Sequence, residues 1–262
     1  RSNRNGRRLN DTAYRPSIAG SLRIGWRLAA LLALLLVFVP LHYAYRLFRN
    51  DNRIPMLFLR YCGQVCGVEV CTIGTPLRQS VLFVSNHISW LDILCLAGAS
   101  GTAFVAKHEL STTPLIGWLC DLNRTIYVKR DSRVNVGAQI EQVREALDDD
   151  WAVAIFPEGT TGDARTLLPF KTSMLSVLEP PPDNVMVQPV FLDYGATGRE
   201  IAWIGDETGI ENAKRILARR GTIGLTIYFL EPFSPHETRG RKAIAARARA
   251  SIDAAMQTAQ HG

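Results

Sequence analysis

The chain reads as an α/β protein, a mostly buried mixed sheet flanked by helices, with an N-terminal helical segment suited to membrane anchoring. Three observations predict it. From residue 68 onward, apolar runs of strand length alternate with segments of helical period. Two of those runs end abruptly on polar, reactive residues. An arginine-rich start is followed by an apolar run of 18 residues without a formal charge.

The start comes first. Residues 1–27 hold seven arginines (Arg1, Arg4, Arg7, Arg8, Arg15, Arg23 and Arg27) and one acid, Asp11, so the +6 formal charge sits here and the other 235 residues are formally neutral. A nucleic-acid reader of similar pI often spreads its bases over a face, so this distribution argues against a nucleic-acid partner. Residues 28–45, LAALLALLLVFVPLHYAY, would be roughly 27 Å long as a helix, against a hydrocarbon core of ~30 Å. Arg27 and Arg46 bound the run and Arg49 and Arg53 extend the positive charge beyond it, so a one-leaflet anchor with both ends cytoplasmic suits both flanks. A cleaved leader is disfavoured, because the basic stretch is long and no A-x-A site follows the apolar run. Pro55 then opens a second apolar helix that sets Leu57, Phe58 and Tyr61 on one side. The expected division is 1–53, basic tail and anchor, and 54–262, globular domain.

Strands are expected at 68–73, 81–84, 102–105, 151–156, 185–192, 201–204 and 222–229. Val136, Ile140, Val143 and Leu147 mark a helical face, a further helix over 210–220 ends at Gly221, and residues 241–258 form an exposed Ala- and Arg-rich helix. Five cysteines in a chain of this size predict free thiols in a reducing compartment. The spacing of Cys62, Cys66 and Cys71 matches no zinc pattern, so these are expected to be buried thiols.

Two strand ends carry the candidate chemistry, because ligands of α/β folds bind beyond the carboxyl ends of strands. In VLFVSNHISWLD, His87 and Asp92 are five residues apart, about 140° around one helix, so they meet only if His87 lies in the loop and Asp92 in the first helical turn. Ser89 and Asp92 also fit a helix-capping pattern, which explains Asp92 and leaves His87 an ordinary loop residue. Paired, they would give an imidazole base oriented by a carboxylate, with no serine nucleophile alongside, so that the nucleophile arrives with the substrate. In AVAIFPEGTTGD, Pro157, Gly159 and Gly162 surround Glu158 in a turn whose amides suit an anion.

Together these segments resemble the glycerolipid acyltransferase family, the acylglycerol-phosphate O-acyltransferases. Residues 86–92 match its H-x4-D block and 156–160 its F-P-E-G-T block. Arg130 falls at its second block and residues 187–190 at its fourth, and the likeness covers about residues 54–231. The resemblance implies acyl transfer from a thioester on acyl carrier protein or coenzyme A to a lysolipid hydroxyl, with no cofactor or metal. His87 would be the base and Asp92 its orienter; Glu158, Gly159, Thr160, Thr161, Lys107, Arg130 and Lys171 would form the acceptor site. It further implies membrane lipids as partners and the cytoplasmic face of a bacterial inner membrane as location. The family commonly has an arginine where Thr161 stands. That departure, with the following LLPFKTSM, is closer to the branch resembling lyso-ornithine lipid acyltransferases than to one handling 1-acylglycerol-3-phosphate. A non-catalytic lipid-binding protein and a thioester hydrolase are the alternatives.

Overall fold

The computed structural model describes residues 14–49, 53–107, 111–112, 114–128 and 136–261. In chain order these form α1 (Ile18–Arg46), α2 (Arg53–Val65), β1 (Val68–Ile73), β2 (Val81–Ser85), α3 (Leu91–Ser100), β3 (Ala103–Lys107), α4 (Pro114–Leu122), β4 (Ile126–Val128), α5 (Val136–Asp148) and β5 (Ala152–Ile155). There follow β6 (Met186–Asp193), α6 (Gly198–Ile201), α7 (Gly209–Ala218), β7 (Ile223–Phe229) and α8 (Gly240–His261).

The strands make one mixed sheet in the order β1-β7-β6-β2-β5-β3-β4, in which only the β6–β7 pair is antiparallel. Side chains alternate across it as a pleat requires. Val81 and Phe83 of β2 pack with α3, α6 and α7 on one face, while Leu82 and Val84 pack with α5 and α8 on the other. Each such buried side chain contributes roughly 1.5–3 kcal/mol, and the central strands β2 and β5 are buried along their whole length. Because β6, β2, β5 and β3 run in one direction, their carboxyl ends share one edge of the sheet. That edge holds Tyr194, Asn86–His87, Phe156–Glu158 and the terminus of β3.

α1 starts ten residues before the apolar run and is the one described helix long and apolar enough to cross a membrane. At 29 residues it is roughly 43 Å long. It therefore takes in Arg23 and Arg27, which are not free tail charges. Arg23 Nε donates to the carbonyl of Ala218 at 2.7 Å, and Arg27 Nη1 to those of Ile216 and Leu217 at 3.0 and 2.9 Å. These are the unsatisfied carbonyls at the C-terminus of α7, where a cation is favoured. This also corrects the expected cap: α7 ends at Arg219, before Gly221, because side chains from α1 satisfy its carbonyls.

Phe38 of α1 packs on Phe58 and Tyr61, so α2 is its partner. α2 in turn presses on α3 through Gly98, where a Cβ would fall 2.7 Å from the Arg60 Cα. Three other expectations are corrected. Residues 201–204 are not a strand: Ile201 closes α6, and Trp203 uses its amide on the carbonyl of Ile88 instead of on a ladder. α8 is not wholly exposed, since Ile244, Ala248, Ile252 and Met256, spaced by four, are buried. Cys71 is exposed on edge strand β1, whereas Cys62, Cys66 and Cys95 are buried. α4 and β4 were not anticipated; both are short.

Candidate active site

The first loop leaves β2 at Ser85, and each residue in it has a fixed partner. The buried amide of Asn86 copies a strand pairing: it accepts from Leu192 N at 2.8 Å and donates to Leu192 O at 3.0 Å. That clamps the loop to β6. The His87 backbone donates to Glu158 Oε1 at 2.9 Å and accepts from Gly162 N at 2.7 Å, which clamps it to the loop after β5.

The His87 ring then has little freedom. It lies flat on Phe156, with centroids 4.0 Å apart and planes 13° from parallel, and its Nδ1 is 2.8 Å from Asp92 Oδ2. A carboxylate there selects the tautomer with the proton on Nδ1, so the lone pair is on Nε2, which has no partner among the described residues. The imidazole is partly open to solvent, while Asp92 is fully buried.

Asp92 sits in the first turn of α3, where the helix dipole favours an anion. Its Oδ2 also accepts the amides of Ile88 at 2.6 Å and Ser89 at 3.0 Å, and its Oδ1 accepts the hydroxyl of Tyr194 at 2.6 Å. The N-cap of α3 is Trp90 and no side chain caps it, so the Ser89 capping pattern is not formed; the same Asp92 oxygen instead meets the Ser89 amide and the His87 ring. Tyr194 was missed from the sequence. Its signal was the same as for the other two loops, a polar residue just beyond an apolar strand, in VFLDY.

The second loop is built around Glu158. One oxygen holds the His87 amide and the other accepts from Leu168 N at 2.9 Å, so this buried carboxylate ties three segments together. Burial pushes its pKa up, and the two amides oppose that shift. Gly159 takes φ +71°, a left-handed conformation that favours glycine, and lies under the end of the Lys171 side chain, with a Cβ position 2.8 Å from Nζ. Lys171 is exposed and donates its backbone N–H to Pro157 O at 2.8 Å, which sets its ammonium over this turn. Thr160 is exposed, and the Thr161 hydroxyl donates to the Trp203 carbonyl.

Lys107 ends β3 opposite Val128, at the same sheet edge. Arg130 lies outside the described residues. Among the described residues, an apolar cleft lined by Phe38, Phe58, Leu59 and Leu122 opens between α1, α2 and α4, and a groove runs along β1 and β7 beside Tyr194. His87 lines neither. No group of three or more His, Cys, Asp or Glu side chains gathers among the described residues, so they supply no metal ligand set. What the arrangement can supply is an imidazole held at Nδ1 by a carboxylate, with no serine or cysteine hydrogen-bonded to it among the described residues.

A family model described as Acyltransferase matches residues 69–193, from β1 to the end of β6. The lyso-ornithine lipid O-acyltransferase of Brucella abortus is 33% identical over 261 residues, covering 93% of this chain and 97% of that protein. The protein of the same name from Rhodobacter capsulatus is 30% identical, covering 92% of each. The 1-acyl-sn-glycerol-3-phosphate acyltransferase of Neisseria meningitidis is 32% identical over 108 residues, 41% of this chain and 42% of that protein. Among solved structures, the 1-acyl-sn-glycerophosphate acyltransferase PlsC from Thermotoga maritima superposes with a TM-score of 0.69 at 18% identity, covering 91% of this chain and 95% of that one.

Proposed function

This chain belongs to the acyltransferase family, and from that premise we propose that it moves a fatty acyl group from a thioester to the free hydroxyl of lyso-ornithine lipid. The donor is acyl carrier protein or coenzyme A. The observation that carries the reaction is the state of His87: Nδ1 is held by Asp92 at 2.8 Å, and Nε2 is left for a proton that the substrate brings.

In the reaction, Nε2 takes the proton from the acceptor O–H as that oxygen attacks the thioester carbonyl carbon. The tetrahedral intermediate collapses, the C–S bond breaks, and the imidazolium returns the proton to the departing sulfur. An ester and a thiol result. Asp92 stabilises the transient imidazolium without itself taking the proton. A base so placed contributes roughly 10² to 10⁴-fold.

The ornithine headgroup is favoured by two features. The relatives matched along nearly the whole chain carry that name, while the phosphate-acceptor relatives match over less than half of it. Thr161, whose hydroxyl is engaged by Trp203, also offers no forked cation to a phosphate. The placement proposed is the cytoplasmic face of a bacterial inner membrane, and the apolar α1 supports the attachment to a membrane. The test is an acceptor panel with one labelled acyl donor, lyso-ornithine lipid against 1-acylglycerol-3-phosphate. Faster turnover with the phosphate acceptor would reverse the choice of headgroup, and retained turnover in His87→Ala would remove the mechanism.

A further inference from the structure

We propose that Tyr194 is a positioning residue of this reaction, whose hydroxyl pins Asp92 Oδ1 so that Oδ2 stays aligned on Nδ1 of His87. The inference rests on His87 acting as the base. Rotation about the Cβ–Cγ bond moves both carboxylate oxygens together, so a bond that holds Oδ1 also resists the turning of Oδ2 away from Nδ1. In this structure Oδ2 takes His87 and two backbone amides, and the 2.6 Å bond from Tyr194 fixes Oδ1.

Filling space does not account for the hydroxyl. Tyr194 is 3% exposed, and a phenylalanine would fill the same volume without burying a polar atom, which is costly unless it is paired. The hydroxyl's hydrogen bond goes to Asp92. Burial and then the Asp92 charge push the phenol pKa well above its ordinary value, so it stays a donor.

The backbone delivers Tyr194 to that place. It lies one residue past β6 at φ −94°, ψ 6°, in the bridge region between strand and helix, where the chain turns sharply. Asp193 Oδ1 accepts the Gly195 amide at 2.8 Å and holds the turn. One residue before Asp193, Leu192 is bonded in both directions to Asn86, the neighbour of His87. The strand that carries Tyr194 is therefore fastened to the loop that carries the base.

The other titratable groups facing Asp92 are Cys95, on the next turn of α3, and Glu158, across the His87 backbone. Burial pushes Cys95 far up, so its thiol stays neutral. When the phenol is removed, Oδ1 is left unheld, and the carboxylate turns more freely against Nδ1 of His87.

The experiment compares wild type, Tyr194→Phe, Asp92→Asn and the double variant, full-length in lipid vesicles, with acyl donor and lysolipid. Tyr194→Phe should lower kcat about tenfold, the loss typical of a bond to a charged acceptor, and leave KM within about twofold. In the Asp92→Asn background the same change should have no further effect. An unchanged kcat, a loss that falls on KM instead, or two substitutions whose effects multiply, overturns the proposal. If His87→Ala still turns over, the assignment of the base fails instead, which is a separate result.

Discussion

Glu158 Oε1 accepts the backbone N–H of His87 at 2.9 Å, so the carboxylate of the second loop fixes the main chain of the first. Glu158 was expected in the acceptor site; its two carboxylate oxygens are engaged by the backbone amides of His87 and Leu168.

Replacing it with glutamine leaves one carbonyl oxygen for two amide donors, those of His87 and Leu168. Glu158→Gln should lose about 1–3 kcal/mol of stability and lower kcat more than it raises KM. The pH dependence follows from the raised pKa of the folded chain. The folded state holds the Glu158 proton more tightly than the unfolded state, so this group's contribution is complete in acid and is lost as pH rises through the folded value. Denaturant titrations should therefore show the wild-type advantage over Glu158→Gln largest in acid and smaller at neutral pH. An advantage that grows with pH would contradict this.

Phe156 carries the His87 ring on its face and is itself backed by Phe104 at 5.7 Å. Phe156→Leu keeps most of the apolar volume and removes the flat support, so the imidazole gains rotation. A fall in kcat of about tenfold is expected, since small losses of alignment are expensive in a positioned base, with the melting temperature changed little. Steady-state kinetics with unchanged kcat would show that the stack is incidental.

Thr161 joins the second loop to the 202–208 segment through Trp203, whose amide in turn donates to Ile88 O at 3.1 Å. Thr161→Val should release that segment and raise KM for the lysolipid several-fold while kcat for a saturating acceptor changes little. Thr161→Arg adds a forked cation and should shift the acceptor panel toward 1-acylglycerol-3-phosphate. An unchanged preference would separate Thr161 from headgroup choice.

Arg23 and Arg27 cap α7 from α1. The double change to alanine removes three charge-assisted bonds and should cost ~1 kcal/mol per arginine. Limited proteolysis should cut faster between α1 and the body, while kcat in detergent stays within about twofold. Equal cleavage rates would mean that apolar packing alone holds the helix.

The sheet was legible because its central strands are short, continuous apolar runs, and the site because two of those runs stop at polar residues. Run length and local contrast are properties that a sequence prints. What escaped depended on partners far away in the chain. Residues 201–204 have strand-like composition, yet the partner of Trp203 is Ile88 in the loop after β2, and no local pattern announces that. Gly221 looked like a cap because the side chains that cap α7 belong to residues 23 and 27. The Ala-rich α8 looked exposed because its buried large side chains, Ile244, Ile252 and Met256, are few and lie scattered among alanines and arginines. Glu158 could be singled out by type and setting, but whether its carboxylate faces a ligand or two amides is decided only by how the loops fold together.

The clasp between α1 and α7 makes the N-terminal helix a handle and not a leash. A tethered domain samples many tilts above a surface, and each substrate encounter must wait for the right one. On the proposed membrane placement, Arg23 and Arg27 would make the two parts turn together, so that the angle at which α1 meets a bilayer would also set how the loop carrying His87 is presented to it.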